Sequence, residues 1–238
     1  MTHRILVVTA VAAERDAVLA GRQPAAGTVA GLPVHRVLTP AGLLDVAAVG
    51  VGPVAAAVGT SRLLAQPGYD LVVSAGIAGG FPAAPVGSVV VADAVVHADL
   101  GAETADGFTS MTELGWGEVR HPVDAVLAAE LARRTGALTG AVLTVSTVTG
   151  SRAGAERLLA AHPDAVAEAM EGVGCCLAAA GAGIPFAELR AIANPVGPRD
   201  RDAWRIADAL AALTGAFERL LAAPLPVGAP TVQPEVVR

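Results

Sequence analysis

Four polar residues stand at the ends of apolar segments, where a side chain can meet a ligand: Glu14, Glu171, Arg190 and Asn194. Glu171 is the most informative, because it separates a strand-like run at 166–170 from small apolar residues typical of a buried helix. A carboxylate buried there without partners would cost several kcal/mol, so other groups must donate hydrogen bonds to it. Two interpretations stay open: an acid that interacts favourably with a helix N-terminus, or a carboxylate that binds the vicinal hydroxyls of a sugar.

The length and hydropathy of the chain narrow the class of protein. Its 238 residues are enough for a substantial core, and 53% of them are hydrophobic. Even so, glycine, proline or a charge interrupts every apolar stretch well before the roughly 20 residues of a membrane span. The first residues also lack the pattern of a signal peptide, since Arg4 leads directly into a short strand-like run. We therefore expect a soluble, cytoplasmic protein with no membrane partner.

The charged residues and the cysteines exclude several kinds of chemistry. The formal charge is −6 and the chain contains no lysine, which argues against nucleic-acid binding, a Schiff-base enzyme and a phosphate-binding P-loop. Cys175 and Cys176 are adjacent and match neither a zinc-site spacing nor a redox Cys-x-x-Cys motif. We expect them to be small buried residues in a reducing compartment, and we expect no metal site.

Two glycine-rich segments resemble dinucleotide-binding loops only superficially. Residues 76–80 (Gly-Ile-Ala-Gly-Gly) follow a strand, but their spacing is not Gly-x-Gly-x-x-Gly and Phe81-Pro82 does not begin a helix. Residues 50–53 do begin a helix, but the third glycine comes only at Gly59. A nucleotide-dependent dehydrogenase is therefore disfavoured. Both segments can still bring backbone amides close to a ligand, because glycine permits that approach.

The elements that must position these residues alternate between strand and helix. Unbroken apolar strands, such as those at 4–9, 70–75 and 186–193, are typical of a sheet buried on both faces. The pattern predicts an α/β fold with three layers, α/β/α, around a central mixed, mainly parallel sheet. We expect one domain over residues 1–238, with a loose tail at about 224–238.

Ligands in such folds bind where strands end. Six strand ends hold most of the unusual chemistry of this chain, and we therefore consider them together: residues 10–14, 50–53, 74–80, 146–151, 170–171 and 190–194.

These segments occur in the order found in the nucleoside phosphorylase superfamily. Residues 10–14 (Ala-Val-Ala-Ala-Glu), 50–56, 74–80, Met170-Glu171 and 190–194 (Arg-Ala-Ile-Ala-Asn) carry the resemblance, which covers about residues 4–220. They are most similar to its hydrolytic branch, which includes methylthioadenosine/S-adenosylhomocysteine nucleosidase. Residues 98–103, 147–150 and 194–197 resemble, within that branch, the futalosine hydrolases of menaquinone biosynthesis.

The resemblance implies a role for each site residue. Glu14 would be the base that activates water, a role that suits a carboxylate because the reacting sugar becomes oxocarbenium-like. The alternative for Glu14 is a surface acid in the first turn of a helix. Asn194 would be the second catalytic residue, acting on the departing base. The remaining residues would bind substrate: Ser74, Gly76, Met170, Glu171 and Arg190 on the sugar side, and Thr147, Val148 and Thr149 at the base.

Two departures from the superfamily pattern bear on substrate and reaction. Asn194 stands where the methylthioadenosine nucleosidases carry an aspartate that can protonate N7 of adenine. An amide can instead donate to N7 and bridge to O6, which favours hypoxanthine as the leaving base. Residues 9–14 also lack the arginine of the phosphorylases' phosphate loop, so water is the expected nucleophile and futalosine the expected substrate. A 6-oxopurine phosphorylase, a methylthioadenosine nucleosidase and a non-catalytic nucleoside-binding protein are the alternatives.

The sequence does not decide what binds the 5′ end of the substrate. Futalosine carries a carboxylated aromatic group there, and the candidate cations are Arg120, His97, Arg152 and Arg199. Phe108 and Trp116 can stack on a ring or anchor a loop, and His97 can pair with Asp99. The resemblance further implies a reaction without a cofactor and a homodimer or larger homo-oligomer.

Overall fold

A computed structural model describes residues 3–105 and 107–227 of the chain. The helices within these ranges are α1 (Ala12–Leu19), α2 (Pro53–Leu64), α3 (Ala125–Thr135), α4 (Arg152–Ala161), α5 (Gly172–Gly181) and α6 (Ile206–Leu220). The strands are β1 (Arg4–Thr9), β2 (Ala25–Val29), β3 (Leu32–Thr39), β4 (Gly42–Ala48), β5 (Leu71–Gly80), β6 (Val89–His97), β7 (Gly101–Thr104), β8 (Gly107–Ser110), β9 (Arg120–Pro122), β10 (Leu138–Thr144), β11 (Ala165–Ala169) and β12 (Phe186–Pro195).

The main sheet is mixed. Parallel pairing joins β4, β1, β5 and β12 in that order, and it also joins β6, β10 and β11. Antiparallel pairing connects β12 to β6, and β11 crosses back to pair with the end of β5. The strands β5, β12, β6, β10 and β11 therefore close into a ring. This closure brings the end of β11, and Glu171 after it, next to the end of β5.

Helices cover the sheet on two sides, as the alternating pattern predicts. Helices α1 and α3 pack on α6, and α2 packs on α5, while α5 and α6 both contact β5, β6 and β12. Cys175 and Cys176 lie fully buried in α5 and form no disulfide. Burial raises the pKa of the Cys175 thiol to about 11, which suits a packing residue rather than a nucleophile. The prediction of an α/β fold is confirmed.

The structure differs from the predicted elements at the glycine segment. Residues 76–80 were expected to form a loop, but they continue β5 as strand. Gly79 and Gly80 pair with β12 on one side and with β11 on the other. A β-carbon on Gly80 would meet the carbonyl oxygen of Ala84 and lie 2.7 Å from the side chain of Ile192. The glycines thus permit two strands and a loop to approach β5 closely.

Two further stretches are the connection after β6 and the end of the described chain. The polar region at 99–120 interrupts the alternation of strands and helices, and it contains the β7–β8 hairpin and leads into β9. Most of the predicted tail, residues 228–238, lies outside the described residues, so that prediction stays a prediction. At the start of the predicted tail, Leu225 is buried and the carbonyl of Pro224 accepts a hydrogen bond from Arg134. None of the helices in the described ranges is long and apolar enough to cross a membrane.

Candidate active site

Glu14 lies in the first turn of α1, immediately after β1, and its side chain is only 4% exposed. Its Oε2 accepts hydrogen bonds from the backbone N–H groups of Ala10 and Val11, at 3.0 and 3.2 Å. Its Oε1 accepts one from the N–H of Ile77 in β5, at 2.9 Å. The expected alternative, a surface acid, does not describe this residue. The carboxylate is fixed between two strand ends, and it has about four acceptor positions, of which these bonds occupy three.

Arg190, in β12, is the centre of a buried polar cluster. Its guanidinium lies 3.2 Å from Glu171 Oε2, and its Nε donates to Glu188 Oε1 at 2.8 Å. A further hydrogen bond, 3.1 Å long, joins it to the hydroxyl of Ser74. Burial alone would lower the pKa of Arg190, but the charges of the surrounding carboxylates, Glu14 among them, raise it above its ordinary value. The guanidinium therefore carries a positive charge in the middle of the site.

Glu171 begins α5, but its side chain does not cap that helix. The carboxylate turns instead towards Arg190 and accepts a hydrogen bond from the N–H of Gly52 at 3.1 Å. Gly52 precedes α2 with a φ of 95°, a conformation that glycine adopts at no steric cost. Met170, half-buried, precedes Glu171 at the end of β11. The side chain is thus held between two elements that are distant in sequence.

Gly76 lies against both Glu14 and Arg190. A β-carbon at this position would lie 2.7 Å from a guanidinium nitrogen of Arg190 and would meet the carboxylate of Glu14. Glycine therefore allows the Glu14 carboxylate and the Arg190 guanidinium to reach the same stretch of β5. The structure in this way brings together Glu14, Ser74, Gly76, Glu171 and Arg190.

Glu188 belongs to this cluster and was missed by the sequence analysis. It is fully buried in β12, and its Oε2 has no hydrogen-bond partner among the described residues. Burial raises the pKa of its carboxyl; the Arg190 charge opposes that effect and the Glu171 charge adds to it. The signal in the sequence was an acid two residues before Arg190 in an otherwise apolar strand.

A cavity next to this cluster contains the residues expected at the base. Val148, Thr149 and Asn194 line it, together with Gly79, Glu168, residues 195–199 and Trp204. The side-chain amide of Asn194 donates to the carbonyl of Pro195 at 2.9 Å. Thr147 lies exposed in the same loop but not in the cavity wall. Glu168 and Trp204 are lining residues that the sequence analysis missed; Glu168 is a lone acid in a buried strand.

The residues considered for the 5′ end are dispersed. Arg120 pairs with Asp164, and Arg199 lies 5.5 Å from the ring of Trp204 in the wall of the cavity. His97 lies 3.5 Å from Asp99, as expected for a structural pair. The carboxylate of Asp99 in turn accepts a hydrogen bond from the N–H of Ser146.

The remaining candidates for the 5′ end lie on the surface. Phe108 covers Gly101 in the β7–β8 hairpin, Trp116 is 77% exposed, and Arg152 is the exposed first residue of α4. The structure does not gather these candidates into one 5′ site.

Comparison with known proteins shows the family of the chain. Residues 5–223 match the model of the phosphorylase superfamily. The futalosine hydrolase of Streptomyces coelicolor is 57% identical over 91% of this chain and 94% of its own length. The futalosine hydrolase of Acidothermus cellulolyticus is 45% identical over 94% of this chain and 92% of its own. The chain belongs to the futalosine hydrolase family of this superfamily.

Solved structures place the fold of this futalosine hydrolase family member among nucleosidases. A methylthioadenosine/S-adenosylhomocysteine nucleosidase of Helicobacter pylori, bound to butyl-thio-DADMe-Immucillin-A, superposes with a TM-score of 0.78 at 19% identity, covering 93% of this chain and 98% of that one. The futalosine hydrolase of Helicobacter pylori gives 0.77 at 19% identity, over 93% and 97% of the two chains. At such identities the likeness concerns the fold.

Proposed function

We propose that the chain is an N-glycosidase that hydrolyses futalosine, releasing hypoxanthine and dehypoxanthine futalosine. The observation that carries the proposal is Glu14, whose carboxylate is oriented by three backbone N–H groups and retains one acceptor position beside the Arg190–Glu171 pair. That position is suited to a water molecule facing the anomeric carbon. The identity to futalosine hydrolases, 57% over most of the chain, supports the choice of substrate.

The proposed reaction replaces the C1′–N9 bond with a C1′–O bond. The pair of electrons in the breaking bond moves to the purine, and the sugar becomes oxocarbenium-like. Glu14 orients the water and accepts its proton as the oxygen bonds to C1′. Glu14 then releases the accepted proton to solvent, and the departing hypoxanthine anion takes one proton from solvent, so that atoms and charges balance. Donors around N7 and O6, with Asn194 among them, stabilise that anion in the transition state.

Glu171 and its neighbours hold the sugar in this proposal. The Glu171 carboxylate accepts hydrogen bonds from the 2′- and 3′-hydroxyls, while Arg190, with Ser74 bonded to it, fixes the carboxylate from behind. Met170 packs on the sugar face, and Gly76 lets Glu14 and Arg190 approach the same stretch of β5. Val148 and Thr149 border the base, and Thr147 lies in the same loop. Arg190 is itself held in place, because its Nε donates a hydrogen bond to Glu188.

We further propose that the enzyme acts in the cytoplasm as a homodimer or larger homo-oligomer. Val51, Val54 and Val58 form an exposed apolar strip on and just before α2, with exposed fractions of 56%, 75% and 56%. This strip adjoins Gly52, which bonds to Glu171. Exposed apolar patches mark interaction surfaces, and light scattering on the purified protein measures the assembly.

A substrate panel tests the proposed function. Purified protein is incubated with futalosine, inosine and methylthioadenosine, with and without phosphate. The proposal predicts release of hypoxanthine from futalosine at a rate that phosphate does not change. Strict dependence on phosphate would indicate a phosphorylase, and release of adenine from methylthioadenosine without any turnover of futalosine would contradict the substrate. Binding without any turnover would indicate a nucleoside-binding protein.

A further inference from the structure

Glu168, Gly79 and Asn194 form one row across three strands. Glu168 of β11 pairs with Gly79 of β5, and Gly79 pairs with Asn194 of β12. Residues directly paired across neighbouring strands present their side chains on the same face. Two strand spacings put the outer residues about 10 Å apart, and the middle residue has no side chain. A β-carbon on Gly79 would lie 3.0 Å from the side chain of Val196 and 3.4 Å from the amide nitrogen of Asn194, so these side chains share the space over Gly79. Glu168 and Asn194 both line the same cavity.

Two hydrogen bonds orient the Glu168 carboxylate, but they do not occupy all of its acceptor positions. Its Oε1 accepts the N–H of Thr149 at 2.8 Å and its Oε2 accepts the Thr149 hydroxyl at 2.5 Å. A carboxylate has about four acceptor positions, so about two remain. Burial raises the pKa of this carboxyl, against the lowering effect of the Thr149 bonds. A further donor from a ligand would offset part of the cost of that burial.

Resting on the proposed function, we propose that Glu168 is a specificity-determining residue that accepts the N1–H of hypoxanthine. The base lies in the cavity between the two side chains, with its N7 and O6 edge towards Asn194 and its N1 towards Glu168. Hypoxanthine carries a hydrogen on N1, whereas adenine presents a lone pair there. The carboxylate attracts the first base and repels the second, so Glu168 and Asn194 read adjacent edges of the same base.

An alternative role for Glu168 is to anchor the loop at 146–151 through Thr149. An anchor would affect all purines equally, because it acts through the shape of the loop. A reader of N1 would change the ratio of affinities between purines, because it acts on one atom. The two roles are therefore separated by comparing ligands and not by loss of activity.

The experiment measures dissociation constants of hypoxanthine and adenine for the whole protein by calorimetry. The variants are Glu168→Gln and, as a matched control, Glu156→Gln on the exposed face of α4. Glutamine has the shape of glutamate and can donate to N1 of adenine. Loss of a charged hydrogen bond predicts that Glu168→Gln lowers the preference for hypoxanthine by about tenfold or more. The control variant keeps the preference of the original protein.

An unchanged ratio of the two affinities in a folded Glu168→Gln variant would overturn the inference. A second measurement needs no variant: the original protein should bind 1-methylhypoxanthine at least about tenfold more weakly than hypoxanthine, and equal binding would overturn the inference as well. Both measurements use free bases. Failure of futalosine turnover would count against the proposed function, and an unchanged affinity ratio would count against Glu168 alone.

Discussion

At the scale of single residues, protein groups already occupy several of the hydrogen-bond acceptor positions of the Glu14 and Glu171 carboxylates. The Glu14 carboxylate accepts three backbone N–H groups from the segments after β1 and within β5. Glu171 accepts the N–H of Gly52 and contacts Arg190. Carboxylates held in this way lose little freedom when a substrate binds, because their orientation is already fixed. In the proposed reaction, their remaining acceptor positions bind the water and the sugar hydroxyls.

Replacing the Glu14 carboxylate with an amide tests its role as the base. Glu14→Gln keeps the shape of the side chain but removes its capacity to accept a proton from water. We expect turnover of futalosine to fall by about 100-fold or more, with product binding largely retained. Steady-state kinetics and calorimetry measure the two effects. Glu218→Gln, at an exposed position of α6, is the control, and undiminished turnover in Glu14→Gln would contradict the role.

In the proposed reaction, Asn194 distinguishes this site from one that releases adenine. An aspartic acid at this position can protonate N7 of adenine, whereas an amide can donate to N7 and O6 of hypoxanthine. Asn194→Asp is therefore expected to shift the ratio of kcat/KM from 6-oxopurine towards 6-aminopurine nucleosides by about tenfold. Competition between inosine and methylthioadenosine measures the shift. If the ratio stays the same, the base is read by other residues.

At the scale of elements, the contact between α2 and α5 positions Glu171. Gly174 in α5 lies so close to α2 that a β-carbon there would lie 2.9 Å from the N of Ala57, 3.1 Å from the side chain of Ala56 and nearer still to the carbonyl of Pro53. The residue before α2, Gly52, supplies the N–H that Glu171 accepts. The distance between the two helices and the orientation of the carboxylate are therefore set together.

A single methyl group in this contact should therefore affect both stability and the site. Gly174→Ala forces α2 and α5 apart, and we expect it to lower the free energy of unfolding by about 1–3 kcal/mol and to raise KM. Gly181→Ala, in the last turn of the same helix, is the control, since a β-carbon there meets nothing within 4 Å. Urea denaturation compares the two. A Gly174→Ala protein as stable as the control would refute the packing argument.

The elements also show where sequence reasoning succeeds. Strands with unbroken apolar runs, such as β1 and β12, were placed nearly to the residue, because burial on both faces leaves a clear pattern. The segment at 76–80 was not predicted as strand, because its glycines permit close strand pairing and do not form a turn. Pairing of β11 with β5, which brings Glu168 next to Gly79, joins residues far apart in the chain. No local pattern reports such a contact.

At the scale of the whole molecule, chemistry and stabilising charges lie at different ends of β1. Glu14 follows the end of β1, whereas Arg4 at its start donates to Asp45, which also accepts from Arg36 and Tyr69. Asp45 is fully buried. Burial alone would raise the pKa of its carboxyl, but the hydrogen bonds from Arg36, Tyr69 and Arg4 outweigh that effect and hold the pKa below its usual range.

The depressed pKa of Asp45 predicts how stability depends on pH. Its contribution is present above the pKa of the unfolded chain, near 3.8, and is lost as the pH falls towards the lower pKa of the folded protein. Asp45→Asn should lower the free energy of unfolding by about 1.5–3 kcal/mol at pH 7, with kcat unchanged. Denaturation at pH 7, 5, 4 and 3 should show the difference shrinking below pH 4. A constant difference would contradict the charge-based explanation.

In the proposed reaction, Glu14 directs water, and not phosphate, to the anomeric carbon of futalosine. Turnover in oxygen-18 water with phosphate present, followed by mass spectrometry of the sugar product, tests this role. We expect one labelled oxygen at C1′ of dehypoxanthine futalosine and loss of this product in Glu14→Gln. A sugar phosphate without the label, or labelled product at the same rate from Glu14→Gln, would contradict it.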